Sequence, residues 1–275
     1  MEIEILVTTG EQLNTVLEFS FYKKIRLFVE SFLLEEVCHM DIDENKVDLF
    51  AALPYVLLNQ NRKKLQNMLE KEKRIKGLLI RNLEELAFCN ELYKDTDLEF
   101  ILDSGFQIYN SESFEAAQAL SFKPISEIFG CFEISGREHD ALYESISDRY
   151  PDIYYSYVVH GHIPMMISQN CVRKTKNQCS QERGFSQLTD RLNKTFKVLC
   201  CCDFCYNVIY NSVPLYLAPK LGKIKHLKRA RVDFTVEDSK NTFLICRYYN
   251  GLDKGEPNIL PDFSFSLAHY ESSVL

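Results

Sequence analysis

No run in the 275 residues approaches the roughly 18 uncharged apolar residues of a membrane helix, and the opening MEIEILVTTGEQL has neither the basic region nor the apolar core of a secretory signal. Both absences predict a cytoplasmic protein without a membrane segment. Positive charge is also scarce. The 32 Lys and Arg face 39 Asp and Glu, a formal net charge of −7, which argues against a surface that grips nucleic acid all over. There is no H-E-x-x-H and no G-x-S-x-G, so the common signatures of zinc peptidases and serine hydrolases are missing. What is present is ordinary globular composition, 46% hydrophobic and 26% charged, enough for one large core in a single domain over 1–275.

Short β-rich apolar runs alternate with amphipathic helical patterns about every 25 residues, the signature of βα units and a parallel sheet. Strands are predicted at 3–7, 24–30, 46–53, 77–82, 98–103, 127–133, 152–159 and 229–235, with helices such as EQLNTVLEF, NRKKLQNMLEKEK, NLEELAFCNELYK, SFEAAQAL and HDALYESISDRY between them. Asn82, Asp103 and Ser113 are the cap-like residues among the helix starts. Eight such units close most simply into a (β/α)8 barrel. Residues 160–228 form a connection far longer than an ordinary βα loop, and 251–275 a tail. In a barrel the chemistry stands at the carboxyl ends of the strands, so this seventh loop, together with Glu30, Arg81, Asn82, Asp103, Glu133, His160 and Asp233, is where a site is expected.

The long loop holds six of the ten cysteines: Cys171, Cys179, Cys200, Cys201, Cys202 and Cys205. In a reducing compartment clustered thiols read as metal ligands or redox groups before they read as disulfides. Cys202 and Cys205 form a C-x-x-C, and Cys171 with Cys179 a looser pair, so these four suit a tetrahedral zinc or an iron–sulfur cluster. The seven residues between Cys171 and Cys179 are too many for a zinc knuckle, which favours the 4Fe-4S cluster over zinc. The alternative is a set of unligated thiols, with Cys200 and Cys201 filling the apolar strand FKVLCC; for Cys38, Cys89, Cys131 and Cys246 burial in the core is the expectation. Just beyond, Lys220, Lys223, Lys225, Lys228, Arg229 and Arg231 fall within twelve residues, either a solvated segment or a local phosphate-contacting patch for RNA.

The stretch VVHGHIPMMISQNCV, then Cys179, then LTDRLNKTFKVLCCCDFCYNVIYNSVPLYL and RVDFTVED, resembles the C-terminal half of the long members of peptidase family U32, the collagenase-like proteases. ILVTTGEQL, ALPYVL and RNLEEL are similar to earlier pieces of the family, and SLAHYESSVL to its close. The resemblance implies either proteolysis or the activity of relatives that hold a 4Fe-4S cluster on four cysteines and hydroxylate a pyrimidine at C5 in RNA, or a ubiquinone precursor. On that pattern Cys171, Cys179 and Cys205 match ligands, Cys202 is the fourth, and Arg81, Asn82, Asp103, His160 and Asp233 would hold substrate. Departures from the pattern fall at His162, Gln169, Asn193, Tyr206 and Ala268, where the family has arginine, an acid or glycine. These implicate a divergent enzyme, or a half that works with a partner domain or chain carrying the rest. A zinc-stabilised binding module without catalysis is the third reading.

Overall fold

Alternation of apolar residues with turn and cap residues sets the strands. In the computed structural model, which describes residues 1–252 and 264–272, they are β1 (Glu2–Val7), β2 (Ile25–Glu30), β3 (Val47–Ala52), β4 (Ile75–Ile80), β5 (Glu99–Leu102), β6 (Ile125–Phe129) and β7 (Tyr154–Gly161). The long connection then contributes β8 (Pro164–Ser168), β9 (Gly184–Thr189), β10 (Thr195–Cys201), β11 (Tyr206–Tyr210) and β12 (Leu215–Tyr216) before β13 (Arg229–Phe234). The seven first strands and β13 pair in parallel, and β7 bonds both β6 and β13, so the sheet closes on itself as an eight-stranded parallel barrel. The expected (β/α)8 barrel is the observed fold. Of the expected tail, 253–263 and 273–275 lie outside the described residues. No helix among the described residues is long and apolar enough to cross a membrane.

The helices are α1 (Gly10–Glu18), α2 (Leu34–Val37), α3 (Asn59–Lys71), α4 (Leu83–Tyr93), α5 (Ser111–Leu120), α6 (Gly136–Ser147), α7 (Val172–Thr175) and α8 (Ser239–Leu252). Their starts follow capping chemistry: Thr9, Asn110 and Ser135 close capping boxes with Gln12, Ser113 and Glu138, and Asn82 accepts from the Glu85 N–H. Ser113 is thus the third residue of its box and not the cap, and Asp103 caps a short 3-10 turn. β4 begins and ends two residues earlier than its apolar run suggests, because the Arg81 N–H leaves the ladder to donate to Glu85 Oε2 at 2.6 Å.

Inward-facing positions fill the barrel in layers. At the amino end Arg26 is held by Glu4, Glu99 and Glu127, while Arg229 reaches Glu127 and Ser156 donates to it. Above them Phe28 and Phe50 stack at 4.9 Å and Phe129 meets Phe28 edge-on. At the carboxyl end Glu30, Arg81, Asp103, Arg231 and Asp233 form a second ionic layer.

The connection after β7 is a folded cover and not a loop. β8, β11, β10 and β9 make an antiparallel sheet in that order, and β12 adds to the edge of β7. Strand alternation gives this sheet two faces. Leu199, Cys201, Phe204, Tyr206, Val208 and Tyr210 join the barrel core. Cys200 and Asn207, a cross-strand pair, face the other way.

Candidate functional site

At the barrel mouth, Arg81 makes a two-pronged pair with Glu30 (2.8 and 2.9 Å), and donates from Nε to Asp103 at 3.0 Å and from Nη1 to the Leu53 carbonyl at 2.6 Å. Arg231 bridges Asp103 (2.7 Å) and Asp233 (2.7 and 3.1 Å). The Tyr55 ring lies 3.9 Å above the Arg81 guanidinium and accepts cover in turn from Tyr206, whose hydroxyl takes the Tyr55 N–H. Burial works to raise Asp103, but Arg231 and Arg81 together hold it down to about 2. For Asp233 burial outweighs the Arg231 guanidinium and, with Asp103 nearby, pushes it up to about 6. Burial also pushes Glu85, just beneath, up to about 8.

Four of the five residues expected to hold substrate are therefore engaged inside the protein. Arg81 pairs with Asp103, Arg231 ties Asp103 to Asp233 under a roof of tyrosines, and Asn82 caps α4. The charges of Arg81, Asp103 and Asp233 are thus engaged in the barrel's own ion pairs. His160, the fifth, is 1% exposed between the rings of Tyr216 and Tyr249, and burial, with His162 nearby, brings its pKa down to about 3. His160 and His162 are not joined by a third metal-ligating side chain among the described residues.

The cysteines divide as the two faces of the cover divide. Cys201 points into the core, where burial pushes its thiol up to about 12. On the outer face Cys200 lies opposite Asn207, whose other neighbour is Ser168 on β8; Cys171 follows three residues later and receives an Asn207 hydrogen bond. The Arg173 guanidinium lies over Gly184 and donates to the Glu182 and Phe185 carbonyls, and the Cys202 thiol donates to the Glu182 carbonyl at 3.1 Å. Cys171, Cys179, Cys200 and Cys202 stand close enough for burial and mutual repulsion to raise Cys200 and Cys202. Although burial opposes it, the Lys174 and Arg173 N–H groups lower the Cys171 thiol. Three of the four expected ligands are thus neighbours, and Cys200 joins them. Cys205 sits at the end of the β10–β11 turn with a positive φ of 57° and its sulfur 3.8 Å from the Cys202 carbonyl oxygen. All ten cysteines are free, with Cys89, Cys131 and Cys246 buried as expected and Cys38 half-buried. No three His, Cys, Asp or Glu side chains among the described residues are arranged to hold a metal as they stand.

The basic segment runs down the outside of the barrel from β12 to the amino end of β13, the end opposite the thiols. Lys220 pairs with Glu271, Lys225 approaches Glu144 and Asp140 at 3.9 and 4.0 Å, and Lys228 lies 5.5 Å over the Tyr154 ring; Lys223 is exposed. Arg229 and Arg231 do not belong to a phosphate-contacting patch. Both project inward, Arg229 to Glu2 and Glu127 and Arg231, 1% exposed, to the two aspartates.

One open feature of the carboxyl face was not singled out from the sequence. A cleft of about 660 Å³ lies where β7 and β13 end, between His162 and the start of α8, with Glu237 on its wall. The signal was present in RVDFTVED, where Glu237 follows the strand by three residues. No family model, curated protein or solved structure matches this chain.

Proposed function

We propose that the chain is a thiolate-centred redox protein on a (β/α)8 barrel, of the collagenase-like U32 type, with an iron–sulfur centre on Cys171, Cys179, Cys200 and Cys202. The observation that carries this reading is the convergence of four thiols from three stretches of chain on the outer face of the cover. The donors fit such a group in kind: soft sulfurs, one with its ionisation favoured by two backbone N–H groups, beside the Arg173 guanidinium that offsets thiolate charge. Closing all four around one centre requires the 171–183 segment to draw in. A bound cluster would supply electron transfer at the surface of the cover.

Pyrimidine C5 hydroxylation in RNA is the activity that the resemblance implies, and Lys223, Lys225 and Lys228 remain as phosphate contacts. They stand at the other end of the barrel from the thiols. The filled mouth and this separation support the version in which a partner domain or chain completes the site.

The test is the iron, acid-labile sulfide and zinc content of anaerobically purified protein, with Cys200→Ser and Cys205→Ser alongside. Four irons and four sulfides per chain, roughly, are expected, lost in Cys200→Ser and kept in Cys205→Ser. One zinc without sulfide would replace this reading with the zinc-stabilised binding module.

A further inference from the structure

The cleft between β7 and α8 carries an inference independent of the thiols. The His162 Nδ1 lies 2.7 Å from the Asn211 carbonyl oxygen, which can only accept, so Nδ1 carries a proton and, in the neutral tautomer, Nε2 is the outward-facing acceptor. Opposite, Glu237 is fixed by the Thr235 and Val236 N–H groups, both donating to Oε2 at 2.7 and 3.0 Å. That leaves Oε1 facing His162 Nε2 across 3.8 Å. At that spacing the two atoms are too far apart to bond each other. They suit a third atom that donates to both.

The surroundings select the donor. Asp238 also lines the cleft, its carboxylate accepting the Asn241 N–H at 2.8 Å, so it already offsets the positive end of α8. No Lys or Arg is found among the described lining residues. The Glu237 and Asp238 carboxylates disfavour phosphate and carboxylate groups in the cleft and favour a cation. Val213, Pro214, Val236 and Ile245 supply an apolar wall beside them. No three ligating side chains meet there among the described residues.

We propose that this cleft binds a primary ammonium group on a short alkyl stem, the ammonium donating to Glu237 Oε1 and His162 Nε2 while the stem lies on the apolar wall. A free alkylamine and a lysine side chain share this chemistry. The experiment titrates n-butylammonium, Nα-acetyl-lysine amide and, as the anionic control, butyrate into the full chain, reading the His162 ring resonances by NMR and the heat of binding. Saturable binding of n-butylammonium at about millimolar Kd, with none for butyrate, is expected. Tighter binding of the lysine derivative would assign the site to a polypeptide side chain, and tighter binding of butylammonium to a free amine. Glu237→Gln should weaken binding about tenfold, the loss of one charge-assisted hydrogen bond. Because Glu237 also holds backbone, Val213→Trp is the second variant, which fills the cleft without touching either acceptor and should abolish binding. Equal binding of butyrate, or n-butylammonium binding that survives both cleft variants, would overturn the proposal.

Discussion

Arg81 concentrates much of the carboxyl end on one side chain, since it neutralises Glu30 and part of Asp103 and ties down the Leu53 carbonyl. Arg81→Met should cost about 3–5 kcal/mol in urea unfolding, because two buried carboxylates lose their partner, and Arg81→Lys should not restore it, since an ammonium cannot make the two-pronged pair. Buried histidines act on the acid side. Burial lowers His139 to about 4 and His160 to about 3, below the ordinary 6.5. The unfolded chain takes up their protons first, so stability is full above about 6.5 and is lost as pH falls from there toward 4, by about 1.4 kcal/mol per pH unit per histidine. Urea midpoints at pH 7 and 5 check this. Glu85 has the opposite sign. With a folded value near 8 it is protonated in the fold while the unfolded chain has already ionised, so between 4.5 and 8 stability falls as pH rises. Glu85→Gln should therefore gain on the wild type at pH 9 relative to pH 6.

The seam between β7 and β13 is where an element depends on one residue's backbone. The register slips between Arg231 and Val232, and Gly161 takes φ +133° with its Cα so near β13 that a Cβ would fall 2.4 Å from the Asp233 carbonyl oxygen. Gly161→Ala should destabilise by roughly 1–3 kcal/mol and, by parting the seam, move the His162 resonances as well. The barrel elements were legible because each follows from local alternation and capping: IRLFVE puts Arg26, Phe28 and Glu30 on one face, and RARVDF puts Arg229, Arg231 and Asp233 on one face. That alternation also says that Arg229 and Arg231 point inward, a signal outweighed by their neighbourhood of lysines. The partners were not legible. Arg231 meets Asp103 across 128 positions of chain, and only barrel closure brings them together. Beyond the apolar strand FKVLCC the long connection reads as a loop because β8 and β9 are half-exposed, so their alternation is weak.

For the molecule as a whole, the cover sorts its six thiols by side. In metal-free protein, alkylation with iodoacetamide followed by peptide mass spectrometry should label Cys171, Cys179, Cys202 and Cys205 early and Cys89, Cys201 and Cys246 only on unfolding, with the far-UV spectrum unchanged after the first phase. Early labelling of Cys201 would place the cover off the barrel. The two ionic layers carry one further consequence, in the closing of the barrel. β13 supplies Arg231 and Asp233 to the upper layer and Arg229 to the lower, yet among the described residues it is the last barrel strand in chain order. Until it pairs, Asp103 lacks one of its two guanidiniums and Glu127 one of its own, and β1 and β7 present open edges to each other's missing neighbour. Without β13 the sheet is unclosed and its centre under-compensated in charge, so the eighth strand is the latch of the barrel.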